Sequence, residues 1–88
     1  MKRFIMIAGA MLLAAPAQAG LVILPNLFAR EYCQMRDMGA DHSGALEYAV
    51  GESVIEGNPV KVTINGVQYD ADVVKANRTA MERCPRYF

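Results

Sequence analysis

Residues 60–71 read VKVTINGVQYDA, and this stretch decides the fold. Apolar and polar side chains alternate on both sides of Asn65-Gly66, a pair that favours a two-residue type I′ turn because both turn positions need positive φ. A loop of that length fixes the register, so one face of the predicted hairpin is apolar and the other polar. The predicted cross-strand pairs are Val60–Ala71, Val62–Tyr69 and Ile64–Val67 on the apolar face, and Lys61–Asp70 and Thr63–Gln68 on the polar face.

Helices are predicted on both sides of the hairpin, and we expect them to cover its apolar face, since an isolated hairpin is only marginally stable. The first predicted helix is 27–38, with Asn26 as N-cap. The second starts at Asp41-His42-Ser43, with Asp41 or Ser43 as N-cap, and ends before Gly57-Asn58-Pro59. The third is 73–83, with Asp70 or Asp72 as N-cap. The predicted inner face of the first helix contains Phe28, Ala29, Tyr32, Cys33 and Met35. That of the second contains Leu46, Ala49, Val50, Ser53 and Val54. That of the third contains Val73, Ala76, Asn77, Ala80, Met81 and Cys84.

The two cysteines complete the architecture. Cys33 lies on the first predicted helix and Cys84 at the end of the last, so one disulfide would fasten the two ends of the domain together. The cysteines are 51 residues apart, and closing a loop of this length removes about 4 kcal/mol of unfolded-chain entropy. This is comparable with the about 3–5 kcal/mol that a core of this size supplies. The sequence therefore predicts a small α+β domain, helix-helix-β-hairpin-helix, closed by one disulfide.

The N-terminal residues have the pattern of a secretory signal peptide. Met1-Lys2-Arg3 is basic, Phe4–Ala15 is apolar, Pro16 breaks any helix, and Ala17-Gln18-Ala19 is a small-x-small cleavage site. The predicted division is a signal peptide at 1–19 and an exported domain at 20–88, located in a periplasm, a lumen or outside the cell. The membrane would be met only through the signal segment during export. An uncleaved anchor is the alternative, because this apolar region is nearly long enough to cross a bilayer.

The charge balance of the predicted exported domain excludes two classes of partner. The whole chain has 9 basic and 9 acidic residues, and loss of Lys2 and Arg3 leaves a net charge of −2. Nucleic-acid binding depends on an excess of cations that displace phosphate counterions, and anionic membranes also attract cations. We therefore expect no nucleic-acid partner. The sequence leaves the partner unknown, with a protein as one candidate.

Few residues in the sequence are candidates for metal binding or catalysis. His42 is the only histidine, and with Asp41 alone it is short of the three or four ligands of a metal site. Cys33 and Cys84 are not a Cys-x-x-Cys pair, so a structural bridge is favoured over a reactive one. No catalytic, metal or cofactor residues are predicted. The expected function is a non-enzymatic exported structural or interaction domain, and the alternative is a small redox- or metal-responsive protein or enzyme that uses Cys33/Cys84 or His42.

Two surfaces are left open by these patterns. The hairpin has exposed strand edges that could accept another strand, from a partner or from the apolar tetrapeptide Leu21–Leu24, which could instead pack over the core. Basic side chains gather towards the C-terminus, where they suit the dipole of the last helix or form an anion-binding patch. These cations are Lys75, Arg78, Arg83 and Arg86.

The run from Asn58-Pro59-Val60 through Asn65-Gly66 to Arg83-Cys84-Pro85, with an early helical cysteine, resembles a group of small exported cyanobacterial proteins that have no assigned function. The resemblance covers most of 28–85. It implies a signal peptide, one cysteine pair and a periplasmic, lumenal or secreted location. It implies no catalytic or binding residue.

We predict that the exported protein begins at Gly20, because the cleavage signal ends at Ala19. N-terminal sequencing of the exported protein is expected to read Gly-Leu-Val-Ile. Membrane-bound protein that still begins at Met1 would contradict the prediction.

Overall fold

The computed structural model describes residues 20–88, and the predicted signal peptide at 1–19 lies outside these residues. The described elements confirm the predicted α+β class. They comprise three helices, two two-stranded antiparallel sheets and a short 3-10 helix. In chain order they are β1 (Leu21–Ile23), α1 (Pro25–Asp37), α2 (His42–Ser53), β2 (Val54–Glu56), β3 (Lys61–Ile64), β4 (Val67–Asp70), α3 (Ala71–Arg83) and the 3-10 helix (Pro85–Tyr87).

Helix α1 is the centre of the domain. It packs on both α2 and α3, which scarcely touch each other. Half of the buried residues are alanines, so the helices approach closely with little apolar volume between them. Among residues 20–88, Phe28 and Tyr32 are the large apolar side chains that are fully buried, and their rings are stacked with centroids 6.0 Å apart. The buried residues are Phe28, Ala29, Tyr32, Cys33, Ala45, Ala49, Ser53, Ala76, Ala80 and Cys84.

The start of α1 differs from the prediction. The helix begins at Pro25, with Leu24 at the N-cap position and no side-chain cap. Asn26 is therefore inside the first turn, and its prediction as N-cap was wrong. Proline is favoured in the first turn because its fixed φ suits the helix and its missing N–H leaves no donor unpaired.

For α2 the structure confirms a predicted cap and corrects the predicted inner face and the predicted extent. The Asp41 carboxylate caps it and accepts a hydrogen bond from the Gly44 N–H at 2.8 Å. Ala49 and Ser53 are buried as predicted, but the predicted burial of Leu46 was wrong, since Leu46 is exposed and Ala45 is buried instead. The predicted extent was also too long, because α2 ends at Ser53 and residues 54–56 form β2 instead.

Strand β2 pairs with β1, so the apolar tetrapeptide at 21–24 is not a third strand of the hairpin. Val22 lies opposite Ile55 in this antiparallel pair. Gly57 follows at a close approach, where an added Cβ would come within 2.8 Å of the Val22 side chain. The Ile23 N–H on the other edge donates to the Asp72 carboxylate at 2.6 Å. This bond ties the N-terminal strand to the first turn of α3.

The hairpin formed by β3 and β4 has the predicted register, with Val62 opposite Tyr69. Asn65 and Gly66 have φ of 52° and 81°, as a type I′ turn requires. Lys61 and Asp70 form an ion pair at 2.5 Å on the polar face. The predicted burial of the apolar face was wrong. Most of its side chains are exposed because this hairpin packs only loosely on α3 and not on α1 or α2.

Helix α3 begins at Ala71, two residues before the predicted start. Asp70 occupies the N-cap position without a side-chain cap bond, and Asp72 lies in the first turn. Ala76, Ala80 and Cys84 are buried as predicted. Asn77 and Met81, which were assigned to the same inner face, are exposed because α1 covers a narrower strip of α3 than the sequence suggested.

We predict that Gly66→Val destabilises the domain by about 1–3 kcal/mol, because a β-branched residue is strained at positive φ. Thermal unfolding monitored by circular dichroism measures the change. Gly51→Ala is the matched control. Gly51 is helical with open space around its Cβ position, so alanine should raise stability by about 0.5–1 kcal/mol. An unchanged melting temperature for Gly66→Val would contradict the turn assignment.

Candidate functional site

The candidate site is a groove between the apolar face of the β3–β4 hairpin and the outer face of α3. It consists of two adjoining clefts of about 640 Å³ and about 440 Å³. Ile64, Val74 and Arg78 line both clefts. We call this surface the hairpin groove; its other lining residues are Val62, Ala71, Lys75, Thr79 and Glu82 in the larger cleft, and Tyr69, Val73, Asn77 and Met81 in the smaller one.

The walls of the hairpin groove are apolar and exposed. Ile64, Tyr69 and Met81 are 41%, 44% and 50% exposed. Soluble domains usually leave large apolar side chains singly on the surface, and a cluster in a concave site marks an interaction surface. These three side chains converge on the smaller cleft. The cluster is therefore a place where a second molecule could remove apolar area from water.

The rim of the groove is basic. Lys75 and Arg78 are exposed on α3, one turn apart, and no acidic side chain within residues 20–88 pairs with either of them. Glu82 is the single carboxylate among the lining residues. The groove thus combines an apolar floor with a net positive rim, which suits an apolar ligand that carries carboxylates.

The disulfide lies on the opposite face of α3. Cys33 and Cys84 are bonded, with Cα atoms 5.9 Å apart, as predicted. The two residues are only 5% and 2% exposed. A thiolate needs access to attack a disulfide, so this burial leaves little room for exchange chemistry. The position is that of a structural link between α1 and the end of α3.

His42 is engaged with the core. Its Nδ1 lies 2.8 Å from the hydroxyl of buried Tyr32. Arg36 donates to the same hydroxyl at 3.0 Å. Because the Tyr32 oxygen accepts from Arg36, its own proton is free to be donated to His42. Within residues 20–88 no group of three or more His, Cys, Asp and Glu side chains is placed to hold a metal ion.

The C-terminal residues form a second cluster. The Tyr87 hydroxyl donates to the Asp37 carboxylate at 2.6 Å, and Arg86 pairs with the same carboxylate. The guanidinium groups of Arg36 and Arg86 lie 4.6 Å and 4.7 Å from the centre of the Tyr87 ring. The hydrogen bond from Tyr87, together with the charge of Arg86, lowers the pKa of Asp37 below its ordinary value. The cluster fastens the C-terminal residues to α1.

The sequence did not reveal the groove, although it contained a signal for it. Val74, Arg78 and Met81 lie four and three residues apart, which is a second stripe on α3 beside the buried one. Val73 and Val74 are consecutive, so a helix cannot direct both of them at α1. The C-terminal cluster had no such signal, because its contacts join residues 49 and 50 positions apart.

The comparisons with known proteins found no relationship. No protein-family model matches the chain, and no curated protein or solved structure is significantly similar to it. None of the helices described in residues 20–88 is long and apolar enough to span a membrane.

We predict that the Cys33→Ser, Cys84→Ser double variant loses about 4 kcal/mol of stability, since the unfolded chain regains the entropy of a 51-residue loop. Urea denaturation under oxidising conditions measures the loss. Parent protein treated with a reductant and a thiol-blocking reagent is the control and should resemble the variant. A variant as stable as the oxidised parent would show that the link does not hold the fold.

Proposed function

We propose that this protein is a non-enzymatic exported interaction domain that binds a protein partner in the hairpin groove. The observation that carries the proposal is that Ile64, Tyr69 and Met81, all of them exposed, line one cleft together. Aromatic and methionine side chains are enriched in interface cores, and a concave site lets a partner cover them together.

Export is the second part of the proposal. A disulfide between Cys33 and Cys84 is consistent with an oxidising compartment. The signal pattern at 1–19 supplies a route to such a compartment. These two observations together support a periplasmic, lumenal or secreted location, which stays a prediction. The resemblance to the exported cyanobacterial group also stays a prediction.

The alternative, a redox- or metal-responsive protein or enzyme, has weaker support. The cysteines are bonded and enclosed, and His42 has its Nδ1 engaged by Tyr32. A redox sensor works best with an accessible thiol. An interaction domain accounts for the exposed groove, which the alternative leaves without a role.

Photo-crosslinking in the cells that export the protein tests the proposal. Met81 is replaced by p-benzoylphenylalanine, which reacts on illumination with whatever lies against the smaller cleft. We expect discrete adducts of defined mass, because a specific partner presents the same surface each time. Their yield should fall about tenfold with Ile64→Asp, which places a carboxylate in the apolar wall without touching the core.

The matched control carries the same photoreactive residue at Met38, which is 72% exposed and does not line the groove. The Met38 position should give no discrete adduct. Equal adducts from Met38 and Met81, or none from Met81, would overturn the proposed function.

A further inference from the structure

The outer surface of α2 is the acidic counterpart of the hairpin groove. Residues 42–53, which form α2, contain two acidic residues, Glu47 and Glu52, and no lysine or arginine. Residues 60–88 contain five basic and three acidic residues. Within residues 20–88 the carboxylates of Glu47 and Glu52 have no cationic partner. The described domain therefore has unpaired negative charge on one helix and unpaired positive charge on another.

This α2 face also contains an apolar anchor. Tyr48 is 43% exposed, lies on the solvent side of α2, and has Glu47 and Glu52 one and four residues away. Gly51 lies beside it, and nothing inside the domain comes within 4 Å of the position of its Cβ. A helical glycine costs about 1 kcal/mol relative to alanine. No contact within the domain needs this glycine, whereas a neighbour that packs closely on α2 would.

We propose that the occupant of the hairpin groove is the α2 face of a second copy of this chain. Tyr48 of one copy enters the apolar clefts of the next, Glu47 and Glu52 pair with Lys75 and Arg78 at the rim, and Gly51 allows the two surfaces to approach. The inference rests on the proposed function and specifies its partner. The two surfaces are opposite in charge, and both contain exposed aromatic or apolar side chains. Complementarity of this kind selects one partner over others.

The arrangement of the helices fixes the symmetry of this contact. Because α1 lies between α2 and α3, a single copy cannot bring its own α2 face to its own groove. The interface is heterologous, with different surfaces on the two copies. Such contacts propagate head to tail into rings or open chains. Each copy then has one groove filled and one α2 face covered.

Sedimentation velocity of the exported, disulfide-bonded protein tests the inference. We expect the sedimentation coefficient to rise between about 10 µM and about 1 mM, the range of weak interfaces of small area. The association should weaken as NaCl rises from about 0.05 M to about 0.5 M, since exposed charges are screened.

Two charge-reversal variants test the two surfaces one at a time. Arg78→Glu disables the groove and leaves the α2 face intact, whereas Glu52→Arg disables the α2 face and leaves the groove intact. Each variant alone should stay monomeric, with Kd raised about tenfold or more by repulsion between like charges. Arg83→Glu on α3 and Glu56→Arg on β2 are matched controls outside both surfaces, and they should associate as the parent does.

Mixing the two disabled variants gives the decisive result. The intact α2 face of the Arg78→Glu protein fits the intact groove of the Glu52→Arg protein, so an equimolar mixture should associate although neither variant does so alone. The two reversed surfaces also have opposite charges, so the mixed assembly is not limited to a dimer. Association that survives Arg78→Glu, or a mixture that stays monomeric although the parent associates, would overturn the inference. Circular dichroism of each variant establishes that it is folded.

The two proposals fail separately. A parent protein that stays monomeric to about 1 mM, while Met81 crosslinks to a different protein, overturns self-association and leaves the proposed function standing. An absence of both crosslinks and association overturns the two together.

Discussion

The bond between Cys33 and Cys84 is the constraint on which the rest of the structure depends. It joins the middle of α1 to the residue that ends α3, so the central helix and the last helix cannot separate. The core around it consists mainly of alanines, which bury little area per residue. A domain with such a core lacks the apolar burial that usually offsets chain entropy. The link reduces that entropy in the unfolded chain, and the small side chains bring the helices close enough for the two sulfurs to meet.

Fixing α3 against α1 also determines where the hairpin lies. One side of α3 is covered by α1 through Ala76 and Ala80, and β4 leads directly into its first turn. The hairpin therefore meets the side of α3 that faces away from the core. The bond between the Ile23 N–H and Asp72 holds the start of α3 to β1, so both ends of the helix are tied to other elements. The groove is thus formed on a rigid helix, with the type I′ turn shaping its second wall.

The sequence predicted what depends on short-range patterns. The register of the hairpin followed from the alternation around Asn65-Gly66, and the start of α2 followed from Asp41-His42-Ser43, because both are decided within a few residues. The sequence left Asp41 and Ser43 open as the cap, and the structure selects Asp41. The pairing of β1 with β2 was missed because Val54 and Ile55 also fit a helical pattern, and only the distant strand at 21–23 makes the extended form favourable. The groove was missed for a related reason. Alternation shows that a hairpin face is apolar, but whether other elements cover that face depends on how the helices pack.

Both the groove and the α2 face contain residues that selection for stability alone would not favour. The exposed Ile64, Tyr69 and Met81 forgo burial, and Gly51 weakens the middle of a helix whose surroundings would accept alanine. These departures lie outside the core, where each costs little by itself. Departures from local rules are expected where residues serve binding. The two sites also differ in charge, basic at one and acidic at the other, so their association would restore together the apolar burial and the ion pairing that the single copy leaves unmade.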